Sequence, residues 1–139
     1  MKYLPLVTLI FAAAFWACSG SGLTDYDPDL CRDLSVKIEN RDSLTQSDYS
    51  KMIEQDGAIL RYLVDRTREV CEQPDSLRFS AWRTLTADPA YLERFGYMFT
   101  LGSSLYRADA NGLLDSRNAE NYRALGSYNE QLAEYSDRY

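Results

Sequence analysis

The sequence contains no histidine, and this absence removes several classes of enzyme. Hydrolases with a serine or cysteine nucleophile usually need a histidine as the base. With only three cysteines in the chain, a zinc site of the usual kind would need a histidine as well. The seven glycines are scattered, so no glycine-rich loop is present to hold a phosphate group. We therefore expect no cofactor and no metal site.

The charge of the chain is also one-sided. Its 139 residues include 21 acidic and 15 basic side chains, which gives a formal net charge of −6. An acidic surface repels phosphate backbones and anionic headgroups. The composition therefore argues against nucleic acid as a ligand.

The first seventeen residues have the organisation of an export signal. Lys2 supplies a positive start, an apolar run of roughly 13 residues follows, and small residues surround Cys18. A helix that spans a bilayer needs about 20 apolar residues. We interpret residues 1–17 as a signal peptide that is removed.

The pair Ala17-Cys18 at the end of this signal resembles the lipobox of bacterial lipoproteins. The resemblance implies cleavage before Cys18, a diacylglycerol on its sulfur and an acylated amino group. It places the chain among small helical lipoproteins of the Gram-negative cell envelope, anchored to a membrane, with the outer membrane favoured, on its periplasmic or outer side. The alternative is an ordinary signal peptide, cut near Ala17 or Ser19, that releases a secreted protein.

The mature chain is expected to hold one domain. Residues 18–27 are mostly small and polar and are expected to form a flexible tether after the lipidated cysteine. Residues 28–139 form a single domain of ordinary size. Without Lys2, this chain carries 14 basic and 21 acidic residues.

Apolar residues in the domain recur at helical spacing. Pro28, Pro89 and the pair Thr45 and Asp48 are typical of helix starts. We predict an all-α fold, an antiparallel bundle of four or five helices. In the first helix, Val36 and Ile38 would also permit a strand.

Two cysteines remain besides Cys18. In an oxidising compartment, Cys31 and Cys71 are most simply a structural disulfide between the first helix and the end of the second. The alternative is two free, buried thiols.

Asp56 is a candidate functional acid. Helical periodicity puts it on the apolar face of the second helix, where a carboxylate must be paired, protonated or beside a gap. It would either be an acid with a raised pKa that lines a cleft, or a structural acid that accepts hydrogen bonds from tyrosine or arginine. The neighbouring Gly57 would mark a close crossing of helices or simply be a tolerated glycine.

The last helix carries a stripe that is rich in tyrosine. It can form a surface for a protein partner or close the rim of the core. The residues of this candidate surface are Leu125, Tyr128, Leu132, Tyr135 and Tyr139.

The segment from Asp109 to Asp115 resembles a calcium loop only superficially. With Gly112 at the obligatory glycine, the first ligand position falls on Arg107 and the glutamate position on Asn118. We interpret the segment as an ordinary turn.

The sequence favours a non-enzymatic binding or accessory module with a protein partner. One alternative is a hydrolase or lyase that acts on envelope glycan or peptide through carboxylates, with Asp56 as its candidate. Another is a purely structural envelope protein.

Overall fold

The computed structural model describes residues 24–108 and 116–136, except for the side chains of residues 116, 117, 135 and 136. The signal peptide, Cys18, the segment 109–115 and Tyr139 lie outside the described residues. Helices are the only regular secondary structure in the described part, which confirms the predicted all-α bundle. Its five helices are α1 (Pro28–Glu39), α2 (Gln46–Cys71), α3 (Asp75–Thr86), α4 (Pro89–Ala108) and α5 (Ser116–Ser136).

Local side-chain contacts explain where the first two helices begin. The Asp27 side chain accepts a hydrogen bond from the backbone of Leu30, and Pro28 occupies the first turn of α1. At the start of α2, Thr45 and Asp48 form a reciprocal capping box. The first helix ends in a left-handed turn at Arg41, with φ of 56°. The strand that Val36 and Ile38 would have permitted is therefore absent from α1.

Helix α2 is the centre of the bundle. Residues 55–60 are buried without a break, so this part of the helix is covered on every side. Helices α4 and α5 make the most extensive contacts with α2, whereas α1 packs on α4 and α2, and α3 packs on α2 and α4. The core includes Leu34, Met52, Ile59, Leu60, Leu63, Leu101, Leu105, Leu125 and Leu132.

The described end of the predicted tether lies against the domain. Gln55 accepts a hydrogen bond from the Asp27 backbone N–H at 2.8 Å and donates to the carbonyl of Asp25 at 3.1 Å. Arg61 donates to the carbonyl of Thr24 at 2.8 Å. Residues 24–27 therefore run along α2 in a defined path.

Tyr26 fixes the same segment to α4. Its hydroxyl donates to a carboxylate oxygen of Glu93 at 2.5 Å. The guanidinium of Arg94 lies between two rings, 4.2 Å from the centroid of Tyr26 and 4.2 Å from that of Tyr62. Cation–π contacts of this kind are worth about 0.5–2 kcal/mol each.

Candidate functional site

An open groove separates α4 from α5. Both helices pack against α2, but their described residues make almost no close backbone contact with each other. The first turns of α4 lie opposite the last turns of α5, so the two helices run antiparallel along the groove. A space between two helices that share a central neighbour is a common position for a ligand or a partner helix.

One wall of the groove is an apolar stripe on α4. We define the α4 stripe as Leu92, Phe95, Phe99, Gly102 and Tyr106, which follow one another at alternating steps of three and four residues. Phe99 and Tyr106 are 70% and 75% exposed, and Leu92 is 51% exposed. The core face of α4, with Tyr91, Leu101 and Leu105, is a separate set of residues. The helix is therefore apolar on a second, uncovered face.

The groove contains two depressions along this stripe. The larger one, with a volume of about 850 Å³, lies between Phe99 and Tyr106 on α4 and Tyr122 on α5. The smaller one, about 430 Å³, lies between Leu92 and Phe95 on α4 and the Leu132 region of α5. Both linings are mainly apolar, and two arginines, Arg107 and Arg123, border the larger depression.

Tyr122 connects the groove to the buried centre of α2. Its hydroxyl donates to Oδ2 of Asp56 at 2.5 Å. Asp56 itself is completely buried, and its Oδ1 atom has no hydrogen-bond partner. Because burial outweighs the Tyr122 hydrogen bond, the pKa of Asp56 rises to about 7. Burial and the neighbouring Asp56 also raise the pKa of Tyr122.

Two glycines allow the three helices to meet at this point. A Cβ at Gly102 would overlap the Tyr122 hydroxyl. A Cβ at Gly57 would lie 2.9 Å from the Asn118 side chain, which donates to the carbonyl of Ile53 at 3.0 Å. Gly57 therefore does mark a close crossing, between α2 and α5.

The position of Asp56 favours the structural acid over the cleft acid. The carboxyl is enclosed by the core, accepts a hydrogen bond from a tyrosine and has a raised pKa. The groove reaches the outer parts of Tyr122 and does not reach Asp56. Tyr122 therefore lies between the Asp56 carboxyl and the groove.

The predicted partner surface on the last helix needs correction. Leu125 and Leu132 are 4% and 2% exposed and belong to the core, because this stripe of α5 packs on α2. Tyr128 is partly buried against the same core. The Tyr135 side chain and Tyr139 lie outside the described residues. Among the described residues, the two most exposed large apolar side chains, Phe99 and Tyr106, are on α4 instead.

The predicted disulfide is wrong, since Cys31 and Cys71 are free. Cys31 is buried beside Gln55, with its sulfur 3.5 Å from the Gln55 side-chain oxygen. Sixteen further residues of α2 lead from Gln55 to Cys71, about 24 Å at 1.5 Å per residue. A disulfide requires Cα atoms within about 7 Å. Burial raises the pKa of Cys31 to about 12, so this thiol is unreactive in the folded chain.

The sequence contained a signal for the α4 stripe, but the high apolar content of the whole α4 segment concealed this signal. If their positions around the helix are ignored, the large apolar residues of α4 form one dense set: Tyr91, Leu92, Phe95, Met98, Phe99, Leu105 and Tyr106. At 100° per residue the set divides into a buried face and the adjoining stripe. The sequence alone does not indicate that α5 packs on α2 and leaves this second face open.

The described residues suggest no metal site or membrane span. Within 24–108 and 116–136, no three metal-ligating side chains come together as a metal would require. No helix in the same ranges has both the length and the hydropathy needed to cross a membrane. The segment from Asp109 to Asp115 lies outside these ranges.

Comparison with known proteins gives no family for this chain. No protein-family model, curated protein or solved structure matches it. The groove is therefore the feature from which a function can be inferred.

Proposed function

We propose that this chain is a lipoprotein of the cell envelope, held at a membrane through acylated Cys18. We further propose that its domain is a non-enzymatic binding module. A protein segment would occupy the groove between α4 and α5 and cover the α4 stripe.

The exposure of the α4 stripe is the observation that carries the proposal. Phe99 and Tyr106 leave most of their surface in water, although the core face of the same helix is fully covered. Contiguous apolar patches of more than a few hundred Å² are uncommon on monomeric proteins and mark interaction sites. Aromatic residues are also the type most enriched in the centres of protein interfaces.

The path of the N-terminal segment is compatible with binding at a membrane. Residues 24–27 contact Glu93 and Arg94, which lie about 120° and 140° around α4 from Phe99, the middle residue of the α4 stripe. The chain that leads back to Cys18 therefore starts from a different side of the helix. A membrane-held domain can keep its groove open to a partner.

The anchor is tested by the intact mass of the protein from native membranes. We expect a chain that begins at Cys18 and carries acyl groups, and we expect a Cys18→Ser variant to be lost from the membrane fraction. An unacylated chain that begins at Ser19 or later would refute the anchor.

The binding module is tested by chemical crosslinking in the same membranes. We expect the wild-type chain to give a discrete, stoichiometric crosslinked product, which Phe99→Asp removes. Phe79→Asp is the matched control, because Phe79 is 44% exposed on α3 and lies outside the groove. If the wild type gives no product, or if both variants keep it, the groove is not the binding site.

A further inference from the structure

We propose that the groove binds a second copy of this chain, with α4 of one copy antiparallel to α4 of the other about a two-fold axis at Phe99. The inference rests on the proposed function and names its partner. A two-fold axis requires one surface to be complementary to itself. The α4 stripe meets this condition in size, area and charge.

Residues of the two copies that would meet across the axis are complementary in size. Leu92 and Tyr106 each lie seven residues from Phe99, so these two large side chains would pair at each end of the contact. At 100° per residue, Phe95 and Gly102 lie on one side of Phe99, which places a ring opposite a glycine of the other copy. Gly96 and Ser103 lie on the other side, where two small residues would face one another and allow the helices to approach closely. No described residue of the same copy lies within 4 Å of a Cβ added at Gly96.

The exposed area is large enough to form the centre of a dimer interface. Since aromatic side chains have about 150–250 Å² to bury, the exposed parts of the α4 stripe correspond to roughly 450 Å². A stable interface buries about 800 Å² on each partner, of which the centre is apolar and the rim polar. The flanks of α4 and the facing side of α5 would supply the remainder.

Charges at the two ends of α4 have opposite sign. Asp88 precedes the helix and accepts a hydrogen bond from the Ala90 backbone at 2.9 Å, and Arg107 lies in its last turn. In an antiparallel pair, Arg107 of one copy would lie about one turn from Asp88 of the other. The positions beside the α4 stripe, Gly96 and Ser103, carry no charge that would be repeated across the axis.

Self-crosslinking at the axis tests the arrangement. The full chain is expressed in its membranes as Phe99→Cys with Cys71→Ser, and it is oxidised with copper phenanthroline. A residue on a two-fold axis lies next to the same residue of the other copy, and a disulfide needs Cα atoms within about 7 Å. We therefore expect the Phe99→Cys chain to give roughly tenfold more covalent dimer than a Phe79→Cys chain with the same Cys71→Ser change. Equal melting temperatures of the two variants would show that both are folded.

The helix direction has its own test. Copies with Leu92→Cys and copies with Tyr106→Cys, both with Cys71→Ser, are expected to crosslink to each other when coexpressed and not to themselves. Self-crosslinking of each alone would indicate a parallel pair and overturn the arrangement.

The outcomes also separate this inference from the proposed function. If Phe99→Cys gives no more dimer than Phe79→Cys, but Phe99→Asp still removes a crosslinked product of different mass, the groove binds another protein and the second copy is excluded. If Phe99→Cys gives no more dimer than Phe79→Cys, and Phe99→Asp removes no crosslinked product, the groove binds no protein and both proposals fail.

Discussion

Gly102 leaves open the space that the hydroxyl of Tyr122 occupies, and this places the hydroxyl 2.5 Å from Oδ2 of Asp56. The contact joins α4, α5 and α2 beneath the open groove. This contact requires glycine at position 102, because even the methyl group of an alanine would overlap the Tyr122 hydroxyl.

Gly102→Ala should therefore destabilise the domain by about 1–3 kcal/mol, as overpacking of a core does. The same change should cost clearly less in a Tyr122→Phe background, because the oxygen that overlaps the added Cβ is then absent and the nearest ring atom is 3.3 Å away. Urea unfolding of the four chains measures this coupling. Gly96→Ala is the control, and it should stabilise the domain by roughly 0.5–1 kcal/mol, because the position is open and alanine favours helix. Equal costs of Gly102→Ala in both backgrounds would contradict the packing.

Asp56 should make stability depend on pH. Its pKa is about 7 in the folded chain and near 4 in the unfolded chain, so the folded chain holds a proton that the unfolded chain releases between these values. The stabilising contribution is complete below pH about 4. It decreases as the pH rises to about 7, by up to about 1.4 kcal/mol per pH unit.

Asp56→Asn should remove this dependence, so that the variant gains stability relative to the wild type between pH 5 and pH 8. Denaturant unfolding at each pH measures the difference, and parallel curves for the two chains would refute it. Asp48 acts in a separate range, since the Thr45 backbone N–H and Lys37 lower its pKa to about 2. Its contribution is lost only as the pH falls below about 4.

The cysteines should behave as two unlike free thiols. Native protein digested without a reductant should give no peptide that links Cys31 to Cys71. A thiol reagent should modify the partly exposed Cys71 first and the buried Cys31 only on unfolding. Recovery of the crosslinked peptide from freshly isolated protein would show that the separation along α2 is wrong.

Leu132 should contribute strongly to stability, unlike an exposed leucine. Leu132→Ala should cost about 2–5 kcal/mol in unfolding free energy, because the side chain is 2% exposed in the core. Leu92→Ala should cost about 0.5 kcal/mol or less in the isolated chain, since half of Leu92 is already in water. Similar losses for the two would mean that α5 does not pack as described.

Local chemistry explains what could be predicted from the sequence. The capping box at Thr45 and Asp48 involves residues three apart, so the start of α2 is visible in the sequence itself. The same applies to Pro28 in α1. Asp56 could be recognised as an acid on an apolar face, because that inference needs only the periodicity of one helix.

The failed predictions depended on contacts between helices. The pairing of Cys31 with Cys71 required the start of α1 to lie near the end of α2, whereas Cys31 lies beside Gln55. The stripe with Leu125 and Leu132 is rich in tyrosine, as surfaces for protein partners are, but it lies on the face of α5 that packs on α2. Periodicity identifies an apolar face and does not identify what covers it.

The groove as a binding surface is the central claim, and site-directed photocrosslinking in native membranes tests it most directly. A benzophenone amino acid replaces Phe99 in one chain and Phe79 in another, so that two exposed phenylalanine positions are compared. The account predicts a discrete, light-dependent protein adduct from position 99 and none from position 79. No adduct from position 99, or the same adducts from both positions, would contradict it.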